Sequence, residues 1–275
     1  MVCKAFENES MEDHIIKGLE LINLWIKRNY GQKIATLFQL NDKLIGELIL
    51  TSAYIFHDIG KGLTIYSKGK SYWGHEYYSA YLYNECFNLE PLISQITFNQ
   101  AYSLKEVEEG IKIAGALAIS LHHHTMKNRY NKIRHSEGET FQVSENCWKL
   151  YEQIMKPDLL NHYLSEKDPR ITRALFRKID NFNGKECKEY SEKCLEAFSS
   201  LPLIKPPTTY LKTNLLQKVY SLLYPIMIAD NFAATLNRGK HPFSAYKDNE
   251  NINSIGSVLG RDAMKYIITI NSQLE

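Results

Sequence analysis

Residues 41–62 read NDKLIGELILTSAYIFHDIGKG. Leu44, Leu48, Ser52 and Ile55 recur at helical spacing, and Asn41 can cap the helix that they form. The spacing predicts a helix that runs into His57-Asp58 and stops at Gly60 and Gly62. An imidazole and a carboxylate are thereby delivered at the end of an apolar helix, where burial obliges both to find partners.

The same period governs the sequence on either side. Upstream, Ser10-Met11-Glu12-Asp13 reads as a capping box, followed by Ile15, Leu19, Ile22 and Ile26, with His14 bordering that stripe. Downstream, a polar and aromatic loop from Tyr66 to Trp73 precedes a helix that starts near Gly74-His75-Glu76 and continues through Ser79, Leu82 and Cys86. Val107, Ile111, Ala114, Ala118 and Leu121 predict another helix, ending in His122-His123-His124. A late helix places Leu223, Ile226, Asp230 and Ala233 on one face, with Pro225 as an expected kink. Weaker helical stretches fill 136–210, punctuated by Gly184, Pro202, Pro206 and Pro207. Alternating strand patterns are nearly absent and no internal repeat is found. The expected fold class is all-α, a helical bundle with room for a small strand or two in its loops.

At 275 residues the chain can bury a large core. A single domain over 1–275 is expected, its core about 10–240 and a less defined helical insertion at 136–210. Hydrophobic residues at 44% and charged residues at 23% are an ordinary globular composition. A net charge of +2 excludes a global field for polyanions, so any such partner must meet a local patch. The five cysteines are odd in number, scattered and without a C-x-x-C pair, so reduced thiols are expected and no disulfide framework or zinc knuckle. MVCKAFENESMEDH at the start lacks an apolar signal core, and the run from Val219 to Ala229 is too short to span a bilayer. A cytoplasmic protein without membrane contact is the expectation.

Where the histidines fall is more informative. Of nine, His14, His57, His75, His122, His123 and His124 each lie at a helix end or on an apolar helix face, near a glycine or an acid. Singly, each is best explained as a core histidine satisfied by its neighbours. Together with Ala229-Asp230 on a late helix they make a set that chance rarely assembles, and a metal ion is the partner that uses many imidazoles at once.

Phe56-His57-Asp58-Ile59-Gly60-Lys61 and Ile228-Ala229-Asp230 resemble the motifs of the HD superfamily of metal-dependent phosphohydrolases. Gly74-His75-Glu76-Tyr77-Tyr78-Ser79-Ala80 and Ser120-Leu121-His122-His123 narrow the resemblance to the HD nuclease of type I CRISPR interference, here as a subunit separate from its helicase. The resemblance spans residues 10 to 240, with nothing added by 136–210. It implies a metal-dependent deoxyribonuclease acting on single-stranded DNA, partnered by an ATP-dependent helicase subunit and a crRNA-guided surveillance complex. Gly69-Lys70-Ser71 is no phosphate-binding loop, since Thr64 stands where glycine is required, so the motor is expected on another chain.

His14, His57, Asp58 and Asp230 suffice for one six-coordinate ion, and His75, His122 and His123 add three nitrogens. That total exceeds what one divalent ion accepts. Two ions about 3.5–4 Å apart, with Asp58 as the bridging carboxylate, are the natural solution. Mixed imidazole and carboxylate ligation suits Mn²⁺, Co²⁺, Ni²⁺, Fe²⁺ or Zn²⁺, while the resemblance implies Mn²⁺, Mg²⁺, Co²⁺ or Ni²⁺ as activators. Such a pair lowers the pKa of a water and clamps the scissile phosphate for in-line attack. Lys61 can then stabilise charge on the non-bridging oxygens; otherwise it is a surface lysine after a helix end.

Consecutive helical residues fan about 100° apart, so three histidines cannot all face one site from a regular helix. His122 and His123 are the expected pair, with His123 and His124 as the alternative. Lys68, Lys70, Tyr72 and Trp73, and Lys127 and Arg129, interleave cations with aromatics as strand binding requires, although charged loops are more often merely solvated. A phosphohydrolase for nucleotides or cyclic nucleotides would keep the metals within a closed pocket. A non-catalytic docking module would have lost ligands, and none is missing from these motifs.

Overall fold

The computed structural model describes residues 3–66, 72–89, 102–123, 140–167, 175–193 apart from 180, 184, 188 and 191, and 215–238. The architecture is all-α. A short antiparallel hairpin, β1 (Lys4–Phe6) and β2 (Glu9–Ser10), leads into α1 (Met11–Lys27), α2 (Tyr30–Leu37) and α3 (Lys43–Phe56). A 3₁₀ turn at Ile59–Gly62 precedes α4 (His75–Cys86) and α5 (Leu104–Leu121). Then come β3 (Thr140–Phe141), α6 (Glu145–Ile154), α7 (Pro157–Tyr163), β4 (Phe182–Asn183), which pairs antiparallel with β3, and α8 (Leu215–Arg238).

The central element is α3. Every residue from Leu44 to Phe56 is buried, and α1, α2, α4, α5 and α8 all pack on it. Its cap is Asp42 rather than the expected Asn41, because the Asp42 carboxylate accepts the Leu44 backbone N–H at 2.9 Å. At α1 the expected cap is present: Ser10 Oγ accepts Asp13 N–H at 3.0 Å. Ser103 and Glu106 form a reciprocal capping box at α5.

Helix α2 was not expected. It is eight residues long, begins with Tyr30-Gly31 and follows Asn29 in the left-handed conformation (φ 64°), so its periodic signal is weak. Helix α8 runs unbroken through Pro225. By length and composition it could cross a bilayer, unlike the shorter apolar run within it. Half of it is buried, however, and it packs against α1, α2, α3 and α5, with Val219, Leu222, Ile226, Ala229 and Ala233 fully enclosed, as a core helix does.

The cysteine expectation is corrected. Cys3 in front of β1 and Cys147 in α6 are joined by a disulfide across 144 residues, with Cα atoms 5.0 Å apart. Cys86 and Cys187 are buried free thiols, and Cys194 lies outside the described residues. An odd total conceals one long-range pair, because pairing follows tertiary proximity and not spacing.

Two close approaches set the site. A Cβ on Gly18 would lie 1.7 Å from Tyr54 Oη, so only glycine lets α1 come this near α3. Tyr54 Oη then donates to the His14 carbonyl at 3.1 Å. A Cβ on Gly60 would lie 2.3 Å from the His75 carbonyl, and Gly60 N–H donates to Ser79 Oγ at 2.9 Å, which presses the 3₁₀ turn onto α4.

Candidate metal centre

Each element delivers its polar residue to one buried place. The first turn of α1 supplies His14 and the end of α3 supplies His57 and Asp58. His75 is the first residue of α4, His122 and His123 follow the last turn of α5, and Asp230 lies within α8. Helix α5 ends at Leu121, His122 keeps a helical backbone as its cap (φ −61°, ψ −17°), and both His122 and His123 reach the cluster. His124 lies outside the described residues.

The side chains form two groups, in each of which the ligand atoms all lie within 4.8 Å of one another: His14, His57, Asp58 and Asp230, and Asp58, His75, His122 and His123. Asp58 belongs to both. Its Oδ2 lies 3.5 Å from His14 Nε2 and 3.5 Å from His57 Nε2, and its Oδ1 lies 2.8 Å from His75 Nε2 and 3.8 Å from His122 Nε2. Asp230 Oδ1 lies 3.1 Å from His14 Nε2 and 3.7 Å from His57 Nε2. One carboxylate thus turns one oxygen toward each group.

The rings are oriented by what holds their other nitrogen. His57 Nδ1 lies 2.5 Å from the Tyr54 carbonyl, His75 Nδ1 2.6 Å from the Tyr72 carbonyl, and His122 Nδ1 2.5 Å from the Ile119 carbonyl. A carbonyl only accepts, so Nδ1 donates in all three and Nε2 presents its lone pair to the cluster. His14 Nδ1 instead meets the carboxylate of Glu9 at 2.7 Å. The Nε2 atoms of His14, His57 and His122 are buried with no properly angled hydrogen-bond partner. Buried orphans of this kind are costly unless something else uses the lone pair, and ligation of a divalent ion does so. The donor set of imidazoles and carboxylates fits such an ion.

At Asp58, Asp230 and His122 the electrostatics agree with the donor chemistry, and at His14 an arriving ion must displace a proton. Burial alone would raise the Asp58 carboxyl, but Lys61, His57 and His75 beside it hold it well below the usual carboxylate range. Burial opposes and His14 and His57 outweigh it at Asp230, which is likewise held low. Burial, reinforced by His57, pushes His122 down to about 3, so its ring is neutral. Burial would also lower His14, but Asp230 and Glu9 raise it to about 9.

Lys61 Nζ lies 2.5 Å from Asp58 Oδ2, and its side chain is nearly buried. Of the aromatic-basic stretches, Tyr72 and Trp73 are described and half-buried. Tyr72 supplies the carbonyl that orients His75, and Tyr66 Oη donates to the Trp73 carbonyl at 2.6 Å. Lys68, Lys70, Lys127 and Arg129 lie outside the described residues.

Two contributors went unrecognised in the sequence. Glu9 sits in a polar run that looks like surface and carries no signal of its burial. Tyr54 had one: a tyrosine inside an apolar helix must place its hydroxyl somewhere. It bonds the His14 backbone and stacks on His57 with ring centres 4.7 Å apart.

No family model matches the chain, and no curated protein matches it. Among solved structures, it is similar to the CRISPR-associated Cas3 HD domain protein from Methanocaldococcus jannaschii, over 82% of this chain and 99% of that chain, with 19% identity and a TM-score of 0.45.

Proposed function

We propose that the chain is a metal-dependent phosphodiesterase, a deoxyribonuclease for single-stranded DNA, with two divalent ions held by His14, His57, Asp58 and Asp230 and by Asp58, His75, His122 and His123. The observation that carries this reading is the two-sided contact of Asp58, whose Oδ2 faces one group and whose Oδ1 faces the other. A mononuclear site has no use for the second set.

When bound, such ions supply Lewis acidity at a phosphoryl oxygen and an activated water for hydrolysis; Mn²⁺, Co²⁺, Ni²⁺ and Mg²⁺ are the candidates. The chain's residues do the rest. Carbonyls of Tyr54, Tyr72 and Ile119 fix three imidazoles in the ligating tautomer before any ion arrives. Lys61 keeps the Asp58 carboxyl ionised and is the cation at hand for a non-bridging phosphate oxygen. Tyr72 and Trp73 border His75, where a base of a single strand can stack. In this reading the strand is opened by a separate ATP-dependent helicase, recruited to its target by a crRNA-guided surveillance complex.

A second reading, a phosphohydrolase for nucleotides or cyclic nucleotides, is favoured by the depth of the cluster, in which His14, His57 and Asp58 are fully buried. One assay separates the two. Metal-stripped protein is given single-stranded DNA, double-stranded DNA and a nucleotide panel, with and without Mn²⁺. Cleavage of single-stranded DNA that needs Mn²⁺ and disappears in Asp58→Ala is expected. Nucleotide turnover with intact DNA would overturn the nuclease reading, and full activity of Asp58→Ala would overturn the site.

A further inference from the structure

Two segments far apart in the sequence feed the cluster, and one covalent bond joins them. In the first, the Cys3 carbonyl accepts the N–H of Met11, the first residue of α1, at 2.9 Å, one turn before His14. The hairpin that follows Cys3 carries Glu9, whose Oε1 lies 2.7 Å from His14 Nδ1. In the second, Cys147 is seated on Gly62, where a Cβ would lie 2.9 Å from the cysteine sulfur. The Gly62 carbonyl accepts Ser144 N–H at 2.9 Å, and Thr64 N–H donates to the Gln142 carbonyl at 2.9 Å. Residues 142–147 are thereby stitched to the 3₁₀ turn that follows Asp58 and carries Lys61, and β1 packs against the same turn. The Cys3–Cys147 disulfide therefore ties the segment that delivers His14 to the segment that delivers Asp58.

Such a tie matters most before an ion arrives. His14 Nε2 and Asp58 Oδ2 stand 3.5 Å apart, and an ion that binds both loses less free energy to ordering when they are already held in place. The hairpin itself is small: its strands are three and two residues long, and Lys4, Phe6, Glu7 and Asn8 are exposed. A two-stranded hairpin is marginal alone, so its local opening gives a reductant access to a disulfide that is otherwise buried.

We propose that Cys3–Cys147 is a redox switch on the metal centre: the oxidised chain holds the cluster in its ligating arrangement, and reduction lowers its affinity for divalent cations. The step is thiol–disulfide exchange with a dithiol. Its thiolate attacks one sulfur and breaks the Cys3–Cys147 bond, and its second thiol then resolves the mixed disulfide. Two electrons and two protons pass to the cysteines, and the reductant leaves as its own disulfide. By linkage the effect is reciprocal: the factor by which the disulfide tightens Mn²⁺ is the factor by which Mn²⁺ protects the disulfide.

The proposal rests on reading the cluster as a metal centre, and the test separates the two claims. Metal-stripped full-length protein is titrated with Mn²⁺ by calorimetry in three forms: oxidised, reduced and freed of reductant without air, and Cys3→Ser. Each form is also melted without metal. The reduced protein and Cys3→Ser should bind Mn²⁺ about 10-fold more weakly, a middling coupling between sites. Thiol counting in a graded dithiol buffer should show saturating Mn²⁺ raising, by the same factor, the reductant ratio that opens half of the disulfide. If the link serves stability alone, reduction will lower the metal-free melting temperature and leave both the Mn²⁺ constants and that ratio unchanged, which overturns the proposal. An identical thiol count before and after reduction overturns it too. A wild type that takes up no ion in either form refutes the metal centre itself, and the switch with it.

Discussion

Lys61 Nζ contacts Asp58 Oδ2 at 2.5 Å, and that oxygen is the one facing His14 and His57. The ammonium therefore stands beside the carboxylate on the side where a divalent cation is expected, and two cations compete for one oxygen. Lys61→Met should leave Mn²⁺ affinity unchanged or increase it, because a competing positive charge is gone. If Lys61 also serves the substrate phosphate, kcat should fall about 100-fold or more, as for loss of one charge-stabilising donor. Calorimetry and single-turnover cleavage read the two effects separately. Parallel loss of metal uptake and activity would mean that Lys61 only builds the turn.

Gly18 gives a second prediction. Alanine is the better helix former by about 1 kcal/mol, so α1 alone would gain from Gly18→Ala. In the fold the new methyl meets Tyr54 Oη at 1.7 Å and its ring carbon at 2.1 Å, and Tyr54 is fully buried. Overpacking of this kind costs about 1–3 kcal/mol, so the packing term should win. Denaturant unfolding should show net destabilisation, and Mn²⁺ binding should weaken because α1 carries His14 away from His57. A variant as stable as wild type would show that α1 and α3 have room to part.

What the sequence reveals here follows the range of the interaction that decides each feature. The helices carrying His14, His57, His122 and Asp230 were legible because each repeats apolar residues over several turns, and helical period is a local property; α4, which carries His75, has no clear apolar stripe and was marked by its Gly74-His75-Glu76 start. Helix α2 is too short for its period to show, and the α3 cap moved by one residue because Asn41 and Asp42 are both competent caps. Which polar residues would gather in the cluster was readable from their chemical type, since histidine and aspartate on apolar faces need partners. Glu9 and the Cys3–Cys147 pair were not, because only tertiary contact with residues 228 and 144 positions away distinguishes them from surface residues.

That disulfide leads to a third prediction. It ties the strand in front of α1 to α6, and Cys147 also packs against Gly62, next to Lys61. Closing so long a loop restricts the unfolded chain strongly, and removing such a link costs about 2–5 kcal/mol. Reductant, or Cys3→Ser, should lower the melting temperature, and thiol counting on native protein before and after reduction should differ by two groups. Identical melting with and without reductant would show that the link contributes nothing to stability.

The last prediction concerns Lys218, fully buried on α8 with its ammonium 5.6 Å from the centre of the Phe38 ring. Burial pushes its pKa down to about 8, below the 10.5 of an exposed lysine. Between those values the unfolded chain binds the proton that the folded chain has released, so wild-type stability gains from this group as pH rises from about 8 toward 10.5. Below about 8 both states are charged, and the cost of burying the charge is borne in full. Lys218→Met keeps the aliphatic length and removes the charge. It should raise the melting temperature at pH 7, and the difference from wild type should shrink steadily as pH is raised toward 10. Melting curves of the two proteins at pH 7, 8, 9 and 10 test this. A difference that stays constant with pH, or a Met variant less stable at pH 7, would show that the ammonium is favourably held where it is.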